Sequence, residues 1–415
     1  MKYVPASSFA ILNLTENNHR RIMEKYKKTC NWWEDPAFFR HKYLLISAYH
    51  GLQYPEFRKK FRIPKEVEIF GDSGGFSQYG GSLQLDNIEI LRWQEKNCDI
   101  GFSLDYPLVV KDNATDVKIK NKHNIENIHD AIGQRKNYDM DYYACVHGWT
   151  SKQIRNVHKQ LPDENIDGWG IGECSASDDS PEGIISRIVL EISLNKNKKP
   201  MHILGCCSPI LIGFLALIEK KTGITISYDS TAYSNGAMYR WYHLDGFKKD
   251  KLKVNADYDG KLPCKCPVCQ VVDVEDMKGA DSEAGTLISL HNLFHEMELD
   301  SQIQKLSETP EKLFNLLWKE YGDRSKYNKI LKVIKDFNKL SIDKFLIKYP
   351  YKNKFCGSRN VQLDSWLGRE RTELKLAENK KTKKTKKTTK KKDKKENKKF
   401  KREVNVYNIV DEEWN

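Results

Sequence analysis

Val67-Glu68-Ile69-Phe70-Gly71-Asp72-Ser73-Gly74-Gly75-Phe76 is the stretch from which the fold of this chain can be predicted. Its first four residues form a short apolar run that predicts a buried strand. A carboxylate, a hydroxyl, two glycines and an aromatic ring follow where that strand ends. Paired glycines let the backbone turn tightly and approach a ligand closely. The stretch therefore predicts either a site at a strand end or a plain glycine turn with a solvated aspartate.

The same arrangement of a short β-rich run, a polar or small residue and a helical segment recurs along the chain. The predicted strands are residues 43–47, 67–70, 100–104, 142–146, 168–171, 202–204 and 224–228, and the helices between them include 87–97, 151–160, 181–194 and 209–221. Repeated units of this kind predict a parallel sheet. With an eighth strand near residues 6–12, they predict an α/β fold of the (β/α)8 TIM-barrel type. An open doubly wound sheet is the alternative, although no G-x-G-x-x-G fingerprint follows the first strand.

Chemically useful residues stand at the predicted strand ends. They are Asp72, Asp105, His147, Gly172-Glu173, Leu204-Gly205 and Asp229. In a barrel these ends share one face, and that face carries the active site of barrel enzymes. Carboxylates gathered at one place are costly without a task or partners, so their convergence favours an enzyme.

Length, composition and charge limit the other functions that this chain can have. The chain has 415 residues, contains no apolar run of the roughly 20 residues that a membrane span needs, and begins without signal-peptide features. We therefore expect a soluble cytoplasmic protein without a membrane partner, in the host cytoplasm if a phage encodes it. Ten cysteines in such a chain favour free thiols and metal binding over a disulfide framework.

The positive charge is concentrated near the C-terminus. Residues 380–402 hold fourteen lysines and one arginine against two acidic residues, while the whole chain has a net charge of +13. A Lys/Thr run of this kind predicts disorder and attracts polyanions through counterion release. We expect nucleic acid to contact lysines such as Lys383, Lys384, Lys390, Lys391 and Lys392. A tail that only improves solubility is the alternative.

A cysteine cluster beginning at Cys264 predicts a metal site. Cys264, Cys266 and Cys269 are spaced closely enough to surround one ion, and a fourth ligand would complete a tetrahedral structural zinc site. His291 and His295, four residues apart on one predicted helix, are both candidates for that ligand. Reduced cysteines in a loop are the alternative.

The predicted domains follow from these features. Residues 1–300 form the catalytic barrel and include the zinc-binding segment 264–295. Residues 301–373 begin with amphipathic packing helices and form a C-terminal helical extension. Residues 374–415 form the disordered Lys-rich tail.

Six motifs in this order resemble the tRNA-guanine transglycosylase superfamily over roughly residues 40–300, in its archaeal form. The motifs are Asp72-Ser73-Gly74-Gly75-Phe76, Leu104-Asp105-Tyr106-Pro107, residues 168–173, His202-Ile203-Leu204-Gly205, Tyr228-Asp229-Ser230-Thr231-Ala232-Tyr233, and the three cysteines with His291-Asn292. The His-Asn pair favours His291 over His295 as the fourth zinc ligand. The resemblance implies a zinc-containing (β/α)8 barrel that exchanges guanine in a polynucleotide for a free 7-deazaguanine base. It leaves open a homodimer.

The resemblance also implies a role for each site residue. Asp229 would attack the ribose anomeric carbon and form a covalent glycosyl-carboxylate, and Asp72 would be the general acid and base. Asp105 would accept hydrogen bonds from the guanine edge. Phe76 and Leu204 would sandwich a base flipped into the pocket. The other pocket residues would be Ser73, Gly74, Gly75, His147, Gly172, Glu173 and Gly205.

Several residues depart from the family pattern. His147 stands where the family has a glutamine that contacts the base, and Glu173 replaces a glycine in the loop that reads the base. The Glu173 substitution would change which deazaguanine enters, for example by favouring a cationic one. The RNA-binding elements of bacterial and archaeal relatives are not evident, and the Lys-rich tail stands in their place. The hypotheses are therefore exchange on tRNA, the same exchange on DNA as in the phage and bacterial branch, and a non-catalytic nucleic-acid-binding partner subunit.

Overall fold

A computed structural model of the chain describes residues 1–7, 20–75, 85–109, 112–172, 181–206, 208–244, 251–323 and 325–351. Contacts divide the chain into the unit Met1–Phe355 and the unit Cys356–Asn415. The second unit, which contains the Lys-rich tail, lies outside the described residues. The predicted domain boundaries therefore stay a prediction.

Eight parallel strands form the central sheet. They are β1 (Lys2–Pro5), β2 (Tyr43–Ser47), β3 (Glu68–Asp72), β4 (Ile100–Phe102), β5 (Asp141–Val146), β6 (Gly168–Ile171), β7 (Met201–Ile203) and β8 (Ile226–Ser230). Their spatial order is β1-β8-β7-β6-β5-β4-β3-β2. A parallel bridge between Ala6 and Leu45 joins the two ends of this order. The closed barrel confirms the predicted fold and excludes the open doubly wound sheet.

The helices alternate with these strands and continue after them. They are α1 (Arg20–Tyr26), α2 (Ala48–Gly51), α3 (Phe57–Lys60), α4 (Asn87–Asn97), α5 (Ala114–Gln134), α6 (Ser151–Gln160), α7 (Pro181–Leu194), α8 (Pro209–Thr222), α9 (Ala232–Met238), α10 (Val274–Lys278), α11 (Ser282–Ser307), α12 (Pro310–Tyr321), α13 (Ser325–Lys339) and α14 (Ile342–Lys348). The hairpin of β9 (Trp241–His243) and β10 (Lys251–Lys253) precedes the cysteine cluster. None of the helices that the structure describes is both long and apolar enough to cross a bilayer.

Local signals in the sequence explain where the helices begin and end. The Asp86 carboxylate accepts hydrogen bonds from the Ile88 and Glu89 amides and caps α4, since these amides have no partner inside the helix. Gly223, with φ of 71°, ends α8 in the left-handed conformation that glycine adopts at little cost. The predicted helices 87–97, 151–160 and 181–194 have the bounds that the structure gives them.

The first strand lies earlier in the chain than predicted. Lys2–Pro5 pairs with Ser227 to Ser230, whereas the prediction placed this strand near residues 6–12. Of that range only Ala6 and Ser7 are described, and Ala6 contributes the closing bridge. The pairing also lengthens β8, because Val4 lies opposite Asp229 in register. Asp229 is therefore part of the strand instead of following it.

Two groups of buried apolar residues determine where a ligand can reach the barrel. The barrel interior is filled by buried residues from β1 to β5 and the adjoining loops: Val4, Ala6, Leu45, Phe70, Ile100, Phe102, Tyr143 and Cys145. A larger cluster fills the space between the sheet and the helices. Since the interior is packed with side chains, a ligand has access to the barrel at an end and not through its centre.

The long helix α11 is joined to the barrel by buried polar contacts. The Tyr228 hydroxyl of β8 donates to Asp300 Oδ1 at 2.9 Å, and the Tyr3 hydroxyl of β1 donates to Glu296. Burial raises the pKa of Glu296 to about 7 and that of Asp300 to about 6. Contacts of this kind fix the helix that carries the candidate metal ligands to the strand that carries Asp229.

Candidate active site and metal site

The three predicted carboxylates lie at the same end of the barrel. Asp72 is the last residue of β3, Asp229 lies near the end of β8, and Asp105 follows β4 by three residues. Burial, together with the negative charges of Asp105 and Asp229, raises the pKa of Asp72 to about 7, although a hydrogen bond from the Gly74 amide opposes the shift. A carboxyl group with a pKa near 7 can both donate and accept a proton at neutral pH.

The turn after β3 holds Asp105 through Ser73. The buried Ser73 hydroxyl donates to Asp105 Oδ1 at 2.8 Å and accepts from the Gly75 amide at 3.1 Å. Gly74 has φ of 80°, which favours glycine, and its amide donates to Asp72 Oδ2 at 3.1 Å. A Cβ atom on Gly75 would lie 2.1 Å from the Asp105 carbonyl oxygen. Gly74 is therefore needed for the conformation of the turn, and Gly75 is needed for the turn to pack against Asp105.

Side chains from helix α5 fix the loop that carries Asp105. Asn124 accepts a hydrogen bond from the Tyr106 amide at 2.7 Å and donates to the Tyr106 carbonyl at 3.2 Å. Asn127 donates to the Leu104 carbonyl at 3.1 Å. This support could not be predicted from the sequence, because asparagines inside a helix usually face water.

Asp229 is held through one of its oxygens. The Gly205 amide donates to Asp229 Oδ1 at 2.7 Å, and His202 Nε2 lies 3.3 Å from the same oxygen. The other ring nitrogen of His202 lies 2.8 Å from the Ser227 hydroxyl. His202 is fully buried against the rings of Phe70 and Phe102. His202 stands in one of the six motifs, but the sequence assigns it no role of its own, since it lies inside the strand and not at its end.

His147, which directly follows β5, contacts a carboxylate. Its Nε2 atom lies 2.8 Å from Asp105 Oδ2, and the side chain is 2% exposed. Gly172 lies against the imidazole, because a Cβ atom there would be 2.8 Å from His147 Cε1. Leu204 packs on the edge of the apolar barrel interior. The structure therefore brings these predicted pocket residues to the end of the barrel where the carboxylates lie.

Some predicted residues lie outside the part of the chain that the structure describes. They are Phe76, Glu173 and the tail lysines Lys383, Lys384, Lys390, Lys391 and Lys392. Their predicted roles in stacking, base selection and nucleic-acid contact remain predictions.

The cysteine cluster and two histidines form a candidate metal site. Ligand atoms of Cys264, Cys266, His291 and His295 all lie within 4.8 Å of one another. His291 Nδ1 is 3.3 Å from Cys266 Sγ and 3.2 Å from Cys269 Sγ, so Cys269 belongs to the same cluster. His295 Nε2 lies 3.0 Å from Cys264 Sγ. The structure therefore brings together the four predicted ligands and also the alternative His295.

The surroundings of His291 fit a metal ligand. Its Nε2 atom lies 2.8 Å from the His243 carbonyl, a contact that leaves Nδ1 directed at the thiols. The Tyr242 ring stacks on the imidazole at 3.5 Å between centroids. Asn292 accepts from the His243 amide at 2.9 Å and so ties α11 to the β9 hairpin. Thiolates with an imidazole oriented through its second nitrogen form the donor set typical of structural zinc.

The sequence of this chain is similar to those of known proteins. The family model described as Queuine tRNA-ribosyltransferase matches residues 45–307. A tRNA-guanine(15) transglycosylase of Korarchaeum cryptofilum is 23% identical over 267 residues, which are 63% of this chain and 43% of that protein. The enzyme of the same name from Archaeoglobus fulgidus is 25% identical over 248 residues, which are 58% of this chain and 50% of that protein. The one from Methanosarcina barkeri is 27% identical over 240 residues, which are 54% of this chain and 45% of that protein. The chain thus spans half or less of the length of these relatives.

Proposed function

The chain belongs to the queuine tRNA-ribosyltransferase family, and we propose that it exchanges guanine in a nucleic acid for a 7-deazaguanine base. The observation that carries this proposal is the group of Asp72, Asp105 and Asp229 at one end of the barrel, where burial and mutual charge raise the pKa of Asp72 to about 7. tRNA is the proposed nucleic acid, in line with the names of the similar archaeal proteins.

Asp229 is the proposed nucleophile. Its Oδ1 atom accepts from the Gly205 amide and lies near His202, so the carboxylate is held through this oxygen. Oδ2 is the oxygen that we propose attacks the ribose. A bond forms between this oxygen and C1′ while the bond from C1′ to guanine N9 breaks, and its electron pair stays on the base. The product is a covalent ribosyl-aspartate.

Asp72 is the proposed proton carrier. Below its pKa of about 7 it gives a proton to the departing guanine, which leaves as a neutral base. The incoming deazaguanine then gives up the proton on its ring nitrogen to Asp72 and attacks C1′, so that the Asp229 carboxylate is released. Each exchange therefore returns both carboxyl groups to their starting state.

Asp105 is the proposed contact for the base, and Ser73 orients it. A carboxylate matches the adjacent N1–H and 2-amino donors of guanine, because its two oxygens can each accept one hydrogen bond. We propose that Gly172, Leu204 and the undescribed Phe76 line the same pocket.

Zinc is the proposed structural cofactor. Cys264, Cys266, Cys269 and His291 would hold it, with His295 beside Cys264. When bound, zinc supplies structural cross-linking of the cysteine loop to α11 and takes no part in base exchange. The loop and helix then support β8 and, with it, Asp229.

Exchange on DNA is the second candidate, favoured by the Lys-rich composition of residues 380–402, which would bind any polyanion.

The test of the proposed function measures incorporation of labelled guanine into tRNA and into duplex DNA side by side. The Asp229→Asn variant should abolish exchange and the covalent adduct on the active substrate, while Asp139→Asn, an exposed change, should keep both. Undiminished exchange by Asp229→Asn would refute the nucleophile assignment. Binding without any exchange by the unaltered protein would favour the non-catalytic partner subunit.

A further inference from the structure

The carboxylate of Asp105 is held on both of its oxygens by buried side chains. Ser73 Oγ donates to Oδ1 at 2.8 Å, and His147 Nε2 lies 2.8 Å from Oδ2. Ser73 is fully buried and His147 is 2% exposed, so little water can compete for these contacts. Two fixed donors on opposite oxygens determine the plane in which the carboxylate lies.

The backbone on either side of His147 is fixed by a single guanidinium. Buried Arg187 on α7 donates to the Val146 carbonyl at 2.9 Å and to the Gly148 carbonyl at 3.2 Å. The Tyr351 hydroxyl donates to the same Gly148 carbonyl at 3.3 Å. The Val146 and Gly148 carbonyls therefore cannot turn without breaking these hydrogen bonds, and the backbone of His147 stays in place beside Asp105.

The positive charge of Arg187 is compensated inside the protein. Glu191 Oε1 lies 2.9 Å from Arg187 Nη2, and Glu191 Oε2 lies 2.6 Å from His158 Nε2. Burial of such charges is costly unless each is paired. The chain thus maintains a paired buried network beside the loop that carries His147, and this network has no role in the proposed proton transfers.

We propose that His147 is a positioning residue, which determines base specificity by holding the Asp105 carboxylate in one orientation. This inference rests on the proposed function, in which Asp105 receives the base. Each Asp105 oxygen keeps a free lone pair beside its contact with Ser73 or His147. These two lone pairs can accept hydrogen bonds from two adjacent N–H groups, such as those of a guanine-type base. A hypoxanthine-type base lacks the 2-amino group and leaves one buried oxygen without a donor, which is unfavourable. His147 acts through Asp105, unlike the family glutamine, which by resemblance contacts the base directly.

The first test measures binding of free guanine and free hypoxanthine to the full chain by equilibrium dialysis. His147→Ala should raise the Kd for guanine about tenfold or more, since a hydrogen bond to a charged group is lost, and should change the Kd for hypoxanthine much less. His147→Gln should restore guanine binding to within about threefold, because the glutamine amide nitrogen can take the place of Nε2. This rescue should be lost when Asp105 is replaced by Asn, whereas a glutamine that contacts the base directly would still rescue binding. The exposed change His129→Ala serves as the control. Equal losses for both bases would overturn the proposal.

The second test is a double-mutant cycle with Asp105→Asn. If His147 acts through Asp105, His147→Ala should have no further effect on guanine binding once Asp105 is replaced. Additive losses would mean an independent role for His147 and would overturn the proposal.

A third measurement needs neither activity nor a His147 variant. Asp105→Asn should shift the NMR resonance of the His147 Nε2 proton in the protein without base, and an unchanged resonance would contradict the pairing. If the unaltered protein exchanges guanine in neither tRNA nor DNA, the proposed function fails, while dialysis and NMR still decide whether His147 positions Asp105.

Discussion

Replacement of Asp72 by asparagine should make the protein more stable, and more so at pH 8 than at pH 5. The pKa of Asp72 is raised from 3.8 to about 7, first by burial and then by the charges of Asp105 and Asp229. Between pH 3.8 and about pH 7, Asp72 holds a proton in the folded state that it has already released in the unfolded state. Stability therefore falls as the pH rises from about 4 to about 7 and stays level above that.

The size of the change in stability follows from the pH range over which only the folded state holds the proton on Asp72. Each pKa unit corresponds to about 1.4 kcal/mol, and the range from pH 5 to the raised pKa of about 7 spans about 2 pH units. The unaltered protein should thus lose about 3 kcal/mol through Asp72 between pH 5 and pH 8. Asp72→Asn carries no titrating group, and its amide oxygen can still accept from the Gly74 amide, so this loss should disappear.

Urea unfolding at pH 5 and pH 8 measures the difference directly. The quantity of interest is the gain from Asp72→Asn at pH 8 minus the gain at pH 5, because effects of the substitution that do not depend on pH cancel. The raised carboxyl groups of Glu296 and Asp300 are present in both proteins and cancel as well. Asp35→Asn, at an exposed carboxylate, is the matched control. Equal gains at both pH values would refute the argument that Asp72 is destabilised when charged.

Two further predictions concern the metal site and the tail. Metal analysis should find one tightly bound zinc per chain, and Cys266→Ser should lower both the zinc content and the melting temperature, whereas Cys98→Ser should leave the zinc content unchanged. Folded protein without zinc would contradict the site. Deletion of residues 380–402 should weaken polyanion binding and reduce the slope of log Kd against log salt concentration by several units, because fourteen lysines are removed. An unchanged slope would show that the tail does not contact the polyanion.

The barrel could be predicted because its signals are local and repeated. Each strand is a short apolar run, and each helix has its own apolar spacing or cap, as at Asp86 before α4. The position of β1 could not be predicted in the same way. Lys2–Pro5 becomes a strand by pairing with β8, and the sequence of this segment alone does not show which neighbour it will have.

In the candidate site, too, some residues could be predicted from the sequence and others could not. Asp72, Asp105 and Asp229 were identifiable from the sequence, since each stands beside a strand within a motif. The roles of His202, Asn124 and Asn127 were not identifiable, because their side chains act on residues that are distant in the chain. The sequence shows that His147 departs from the family pattern. Its contact with Asp105 could not be predicted, because it depends on how the loops after β4 and β5 pack together.

Three features can be predicted from the chain alone, because they depend on residues that are neighbours in sequence: the alternation of strands and helices, the order of the motifs and the chemical types of the site residues. Three other features arise only when the chain folds: the closure of the barrel at Ala6 and Leu45, the raised pKa of Asp72 and the fixed orientation of Asp105. All three arise from groups that are far apart in sequence and close in space. Burial and distance between such groups set the proton affinity and orientation of a carboxylate, and both are properties of the folded chain.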